Sequence, residues 1–196
     1  MNKACRLDPG LTQVIDQVGY PEPRIRKPGF STLVGIINAQ QLSTKAAAAI
    51  WDRLEKSNRG AVTPRKILNR TPTQLRQCGL SARKISYVRG LAEMVLAKDL
   101  ILEGMETLTD SGVILELTKI KGMGRWSAEI YAMFALGRAD IFPANDLALQ
   151  TAVQRYQKLC SRPDEKQTRN LSEKWSPHRT SVALLMWKYY GSATLD

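Results

Sequence analysis

Capping hydroxyls set directly before prolines are the strongest constraint on how this chain can fold. Thr63-Pro64, Thr71-Pro72 and Ser176-Pro177 each place a side chain able to accept from a free helical amide ahead of a proline suited to the first helical position. Each pair predicts a helix start. Ser43 before Thr44 to Trp51, and Ser81 before Ala82 to Ala97, predict two more. Ile85, Val88, Leu91, Ala92 and Val95, and again Val182, Leu185, Met186 and Tyr189, recur at the spacing of one buried helical face. No stretch alternates as a half-buried strand does, so the fold class read from the chain is all-α. The weakest segments, 99–112 and 160–176, read as connections with at most a short helix in each. With 196 residues the chain can bury one good core or two small lobes sharing an interface.

Charge narrows the class of partner. Lys and Arg number 29 against 18 Asp and Glu, giving a formal charge of +11 and a pI near 9.8. That balance favours nucleic acid or an anionic membrane surface and does not choose between them. No apolar run reaches the roughly 18 residues of a membrane span, and the first residues lack the apolar centre of a signal peptide, so a soluble intracellular protein is expected. Cys5, Cys78 and Cys160 are too few and too far apart for a metal cage or a disulfide framework and are expected as reduced thiols. The single His178 supplies neither a zinc site nor a Cys/His dyad, and is expected at the surface in the first turn of a helix.

Two places remain for chemistry. Residues 117–128, Leu-Thr-Lys-Ile-Lys-Gly-Met-Gly-Arg-Trp-Ser-Ala, read as a Gly-x-Gly hairpin between two helical segments. Gly122 and Gly124 allow positive φ and a close approach to another molecule. The amides of Gly124, Arg125 and Trp126 would open the following helix, so free donors, the helix dipole and the Arg125 side chain could converge on one phosphate. An ordinary αα-hairpin also accounts for the glycines. Asp146 stands twenty-two residues after Gly124 in Phe142-Pro-Ala-Asn-Asp146-Leu147, where a helix through Leu149, Val153 and Tyr156 begins. A helix cap is one reading of Asp146. A fixed carboxylate that stabilises developing positive charge or steers a water is the other, and both use the same geometry.

Four segments in order carry a resemblance: Phe30 to Ala47 with Gln40-Gln41-Leu42-Ser43; Ile120 to Ala128; the loop ending at Asp146; and Trp175-Ser-Pro-His-Arg179 followed by Trp187. Together, over roughly residues 30 to 190, they resemble the helix-hairpin-helix DNA glycosylases, in particular the 3-methyladenine DNA glycosylase II branch. The resemblance implies a two-lobed all-helical fold with the active-site cleft between the lobes. Residues 1–29 and 139–196 would form the N/C-terminal lobe, and 30–138 a central lobe whose helix-hairpin-helix spans about 113–136.

The resemblance also implies roles. Asp146 matches the catalytic aspartate. Trp126 and Trp187 match base-pocket tryptophans, while Ile130 and Leu147 stand where some relatives have tyrosines. Trp126 also occupies the place of the lysine that bifunctional relatives use for strand cleavage, so a monofunctional enzyme is implied. Lys121, Gly122, Met123, Gly124 and Arg125 would hold DNA. Gln40, Gln41 and Leu42 match the wedge loop, with Gln41 favoured as the residue entering the stack. Backbone carbonyls of Thr118, Ile120 and Met123 would hold a structural Na+ or K+, and catalysis needs no cofactor. Arg179 is read as an ion-pair partner, and Lys66, Arg70, Arg83 and Lys84 as solvated helix faces.

The function so implied is hydrolysis of the N-glycosidic bond of alkylated purines by nucleotide flipping, leaving an abasic site. 3-Methyladenine is the chief substrate and 7-methylguanine the second candidate. The partner is double-stranded DNA bearing a damaged base, with no membrane; the chain is expected as a monomer, in the cytoplasm and nucleoid of a prokaryote or the nucleus of a eukaryote. The residues by themselves leave open a non-catalytic DNA-binding module and a glycosylase for deaminated or mismatched bases. They also leave open tryptophans that serve only as core and a glutamine pair that only caps helices.

Overall fold

The computed structural model describes residues 1–192, and the described residues hold α-helices and two single 3₁₀ turns but no strand. Contacts divide the chain into two units, a terminal one of Met1–Ile25 with residues from Gly137 onward and a central one of Arg26–Leu136. The divisions fall at 25 and 136 rather than at 29 and 138.

The central unit contains α3 (Phe30–Ala39), α4 (Thr44–Ser57), α5 (Pro64–Leu68), α6 (Pro72–Gln77), α7 (Ala82–Ala97), α8 (Asp110–Thr118) and α9 (Arg125–Phe134). Its starts follow the local chemistry. Ser43, Thr63, Thr71 and Ser81 each accept a backbone N–H of the helix that follows, and Thr71 forms a full capping box with Gln74. α7 packs on α3, α5 and α6, and α9 packs on α3 and α8. Leu33, Ile37, Leu54, Ile67, Val88, Leu91, Leu117 and Tyr131 fill the core.

Helix ends in this unit are finished by cations from other helices. Lys84 Nζ donates to the carbonyls of Asn38 (2.7 Å) and Gln40 (2.8 Å) at the end of α3. Lys66 Nζ reaches Asn58 O (2.7 Å) after α4, Arg89 reaches Leu68 O and Arg70 O after α5, and Arg53 Nε reaches Cys78 O (2.8 Å) after α6. The last carbonyls of a helix have no partner within it and carry the negative end of its dipole, so a charged donor both fills the bond and matches the field. Lys84 and Lys66 are therefore not the solvated face that their sequence suggests. Burial holds the Lys84 ammonium below the usual lysine range.

The terminal unit contains α1 (Asn2–Leu7), α2 (Gly10–Val18), α10 (Leu147–Gln157), α11 (Glu165–Ser172) and α12 (Arg179–Ser192). α12 packs on α10, α2 and α1 around Leu11, Leu149, Val153, Val182, Leu185 and Met186. The segment 160–176 is more ordered than its composition suggests, because Asp164 and Gln167 form a capping box that starts α11. The Ser176-Pro177 expectation fails. That peptide bond is cis, α12 starts only at Arg179, and the Ser176 hydroxyl donates to Asp140 Oδ2 (2.8 Å) instead of capping. His178, half-buried, immediately precedes that helix rather than lying in its first turn.

Trp175 is fully buried, with Phe142 at 5.5 Å and Tyr156 at 6.1 Å between ring centroids, and its indole Nε1 donates to Asp8 Oδ2 (2.8 Å). Lys174 Nζ meets the same carboxylate at 2.8 Å. Burial pushes the Asp8 carboxyl up, but hydrogen bonds from Lys174, Trp175 and Tyr156 outweigh it and hold the group below its ordinary 3.8. A carboxyl whose folded pKa is depressed contributes stability above its unfolded pKa and loses it as pH falls through the folded one. Asp8→Asn should therefore lower the thermal midpoint at pH 7, and the gap to wild type should close as pH falls below about 4. Thermal melts of both proteins across that range measure it.

Candidate active site

Asp146 is the N-cap of α10 rather than a residue of its first turn. Its Oδ1 accepts from the Leu149 amide at 3.0 Å, its own amide donates to Pro143 O (2.9 Å), and Gln150 Nε2 donates to Ala144 O (2.9 Å). The loop is held at its other end as well. Arg179 grips Asp140 through Nε–Oδ1 at 2.8 Å and Nη2–Oδ2 at 2.9 Å. The Thr180 hydroxyl donates to Arg138 O (2.6 Å), and the Thr180 amide donates to Ala139 O (3.0 Å). Burial raises the Asp140 carboxyl, yet the Arg179 and Ser176 hydrogen bonds outweigh it and hold the group below the usual carboxylate range. Both ends of 138–146 are thus fixed, so the Asp146 carboxylate is held at the positive end of α10 with little freedom to reorient. Leu147, beside it, is 62% exposed.

The hairpin's two glycines do different things. Gly122 has φ +87°, and a Cβ there would lie 2.1 Å from the Tyr87 ring, so a side chain is excluded by both torsion and space. Gly124 has an extended φ of −79°, is exposed, and has open space where a Cβ would point. Positive φ is thus confined to the first glycine, while the open approach belongs to the second. Ile120 (1% exposed) and Met123 (2%) turn their side chains into the core, and Lys121 and Gly124 remain outside. The Ile120 carbonyl accepts from the Met123 amide at 2.9 Å, so one of the three carbonyls expected to hold a cation also closes the turn. Arg125 Nε pairs with Glu129 Oε1 at 2.9 Å, with Glu129 nearly fully buried. The guanidinium is therefore tethered along α9 through Nε, while the side chain stays 49% exposed.

The turn at residues 40–42 belongs to the same unit as the hairpin and is tied to it. Gln40 Nε2 donates to Gly122 O (2.9 Å) and to the buried Ser127 hydroxyl (3.0 Å), while Lys84 holds the Gln40 carbonyl. Gln41 then takes a left-handed φ of +55° and is exposed, and Leu42 follows at 39% exposure. Sequence reasoning grouped Gln40 with Gln41. The structure separates them, because Gln40's carboxamide bridges two elements 82 residues apart. No local pattern signals that bridge.

Trp126 is half-buried in the first turn of α9, with Ile130 buried one turn later; Trp187 is half-buried on α12 in the terminal unit. The Arg24 guanidinium lies over the Trp187 ring at 5.6 Å from its centroid. Arg24 was not foreseen, since it sits 163 residues away in an irregular segment. Arg179, read as an ion-pair partner, is one, and its Asp140 partner was likewise not singled out.

Alanine at the two glycines should separate their roles. Gly122→Ala should cost about 2 kcal/mol or more in denaturant-derived stability, through the clash with Tyr87 and the unfavourable torsion. Gly124→Ala should cost under about 1 kcal/mol. If Gly124 admits a phosphate, that variant should nevertheless bind duplex DNA more weakly than wild type by fluorescence anisotropy.

Residues 34–178 match the family model described as HhH-GPD superfamily base excision DNA repair protein. The chain is 34% identical over 188 residues to DNA-3-methyladenine glycosylase 1 of Schizosaccharomyces pombe, covering 93% of this chain and 82% of that protein. Its fold superimposes on the S. pombe 3-methyladenine DNA glycosylase in complex with abasic DNA with a TM-score of 0.86, at 33% identity over 95% of each chain. It superimposes on the DNA-3-methyladenine glycosidase of Bacillus halodurans with a TM-score of 0.85, at 34% identity over 98% of this chain and 89% of the other. The helical order, the hairpin and the aspartate loop thus occur in a chain that belongs to the HhH-GPD superfamily of base excision DNA repair proteins.

Proposed function

We propose that the protein is a monofunctional DNA glycosylase that hydrolyses the N-glycosidic bond of alkylated purines in double-stranded DNA, 3-methyladenine first and 7-methylguanine second, and leaves an abasic site. The observation that carries this reading is Asp146: an anion fixed at the head of α10 by its cap and by a loop pinned to α12. Similarity to the S. pombe enzyme over nearly the whole chain supports it.

As the purine departs, C1′ of the deoxyribose becomes electron-deficient. A carboxylate already in place lowers the energy of that state without reorganising, and it orients a water whose oxygen bonds to C1′ as the C–N bond breaks. The water's proton passes to the carboxylate or to solvent. A purine alkylated at N3 or N7 carries positive charge and leaves as a neutral base, so no strong acid is required. Trp126 in place of a lysine offers no amine to attack the sugar, which leaves the strand intact.

Trp126 and Ile130 of the central unit, and Trp187 and Leu147 of the terminal unit, are each assigned contacts to the base, and an electron-rich indole attracts a cationic ring by about 0.5 to 2 kcal/mol. Backbone amides of Gly122, Gly124 and Arg125, with Lys121, hold a phosphate, and a Na+ or K+ on the carbonyls of Thr118, Ile120 and Met123 supports that binding and not the chemistry. The turn of Gln40, Gln41 and Leu42 fills the stack left by the flipped nucleotide, with Gln41 entering because Gln40 is committed to the hairpin. The protein acts as a monomer, in the nucleoid or nucleus where its substrate lies.

Asp146→Asn tests the reading, since asparagine still caps the helix. Duplex oligonucleotides carrying 3-methyladenine, 7-methylguanine, hypoxanthine or a mismatch should lose the alkylated bases with wild type. The variant should release at least about 100-fold less base, with DNA affinity and melting temperature near wild type. Release of hypoxanthine or a mismatched base alone would move the assignment to deaminated or mispaired substrates; no release of any base by wild type would leave a binding module. Affinity should also fall steeply between low and moderate salt, as phosphate contacts release counterions.

A further inference from the structure

We infer that Arg24 sets base selection by charge: its guanidinium over Trp187 disfavours a positively charged purine at that ring relative to a neutral one of the same shape. The inference rests on the proposed function, in which Trp187 contacts the base.

The arginine is carried on a stiffened strap. Residues 19–25 follow α2 without regular structure, Pro21 and Pro23 restrict the backbone on either side of Glu22, and Lys188 Nζ on α12 holds the Tyr20 carbonyl at 2.8 Å. That bond fastens the strap to the helix that carries Trp187. Pro21, Glu22, Arg24, Leu184 and Lys188 border a hollow of about 210 Å³ along the same helix. The guanidinium centre sits 5.6 Å from the indole centroid, within the range of a cation–π contact.

The sign of the effect does not depend on which face of the indole the base uses. A cationic base arriving on the covered face must displace a guanidinium already attracted to it. A cationic base on the opposite face meets a ring whose negative quadrupole is partly satisfied, with the guanidinium behind it. A neutral purine loses little in either case, since its stacking depends on area and dispersion. Arg24 thus works against the preference that the indole by itself would give, and it lowers the binding advantage of a cationic base over a neutral one.

The test compares two bases that differ in charge and not in outline. Duplexes carry N7-methylguanine, which is cationic, or 7-methyl-7-deazaguanine, which is neutral, and Kd is measured for each in an Asp146→Asn background so that neither base is released. Arg24→Gln and Arg24→Ala should lower the ratio of the cationic to the neutral Kd by roughly 2- to 30-fold, while Arg24→Lys stays close to the parent. A merely structural role would move both affinities together and leave the ratio unchanged. An unchanged or rising ratio in Arg24→Gln overturns the inference while base release by the Asp146-containing protein stands. Absence of any base release by that protein overturns the functional reading on which the inference rests, and the inference with it.

Discussion

An unpaired helix-end carbonyl is the constraint on which the central unit depends. Seven helices joined by short connections leave carbonyls at every C-terminus, and a buried carbonyl without a donor is costly. Here the donors are basic side chains sent from neighbouring helices: Lys84 to α3, Lys66 to α4, Arg89 to α5 and Arg53 to α6. Each bond also locks two helices together, so the same interaction terminates one element and packs another. Part of the +11 charge is therefore structural. Net charge alone overstates the cationic surface offered to DNA, and Arg125, drawn onto Glu129, repeats the point at the hairpin itself.

The same economy governs the aspartate loop. Capping and the proposed catalytic role first look like competing accounts of Asp146, yet the cap is what holds the carboxylate still. Its Oδ1 is directed by the Leu149 amide, and the loop behind it is anchored through Asp140 and Arg179 to the helix that also carries Trp187. A reaction that builds positive charge on a sugar gains most from an anion that need not move, and the cap bond to the Leu149 amide directs this one. Gly122 and Gly124 divide labour in a comparable way: one accommodates Tyr87 and the other leaves backbone open.

Much of this was legible in the chain. Ser43, Thr63, Thr71 and Ser81 announce their helices because a cap is decided within four residues. The Gly-x-Gly turn and the aspartate loop are equally local, and the ordered segments around them carried the family resemblance. Ser176-Pro177 shows where that reasoning stops. Its local pattern matches the other caps, but Asp140, thirty-six residues earlier, takes the hydroxyl, and the helix starts two residues after the proline.

What the sequence by itself determined was helix content, the position of most helix starts, the hairpin and the identity of the candidate carboxylate, because each depends on torsions and hydrogen bonds within a few residues. Only the tertiary structure decided which basic side chains are tied to helix ends, that Gln40 ties the exposed turn to the hairpin, and that Arg24 lies on Trp187. Those are contacts between residues 82 to 163 positions apart, or between helices that packing alone brings together, and nothing in the neighbourhood of either partner encodes them. A side chain's charge is written in its formula; its partner is chosen by the packing of the helices that carry it.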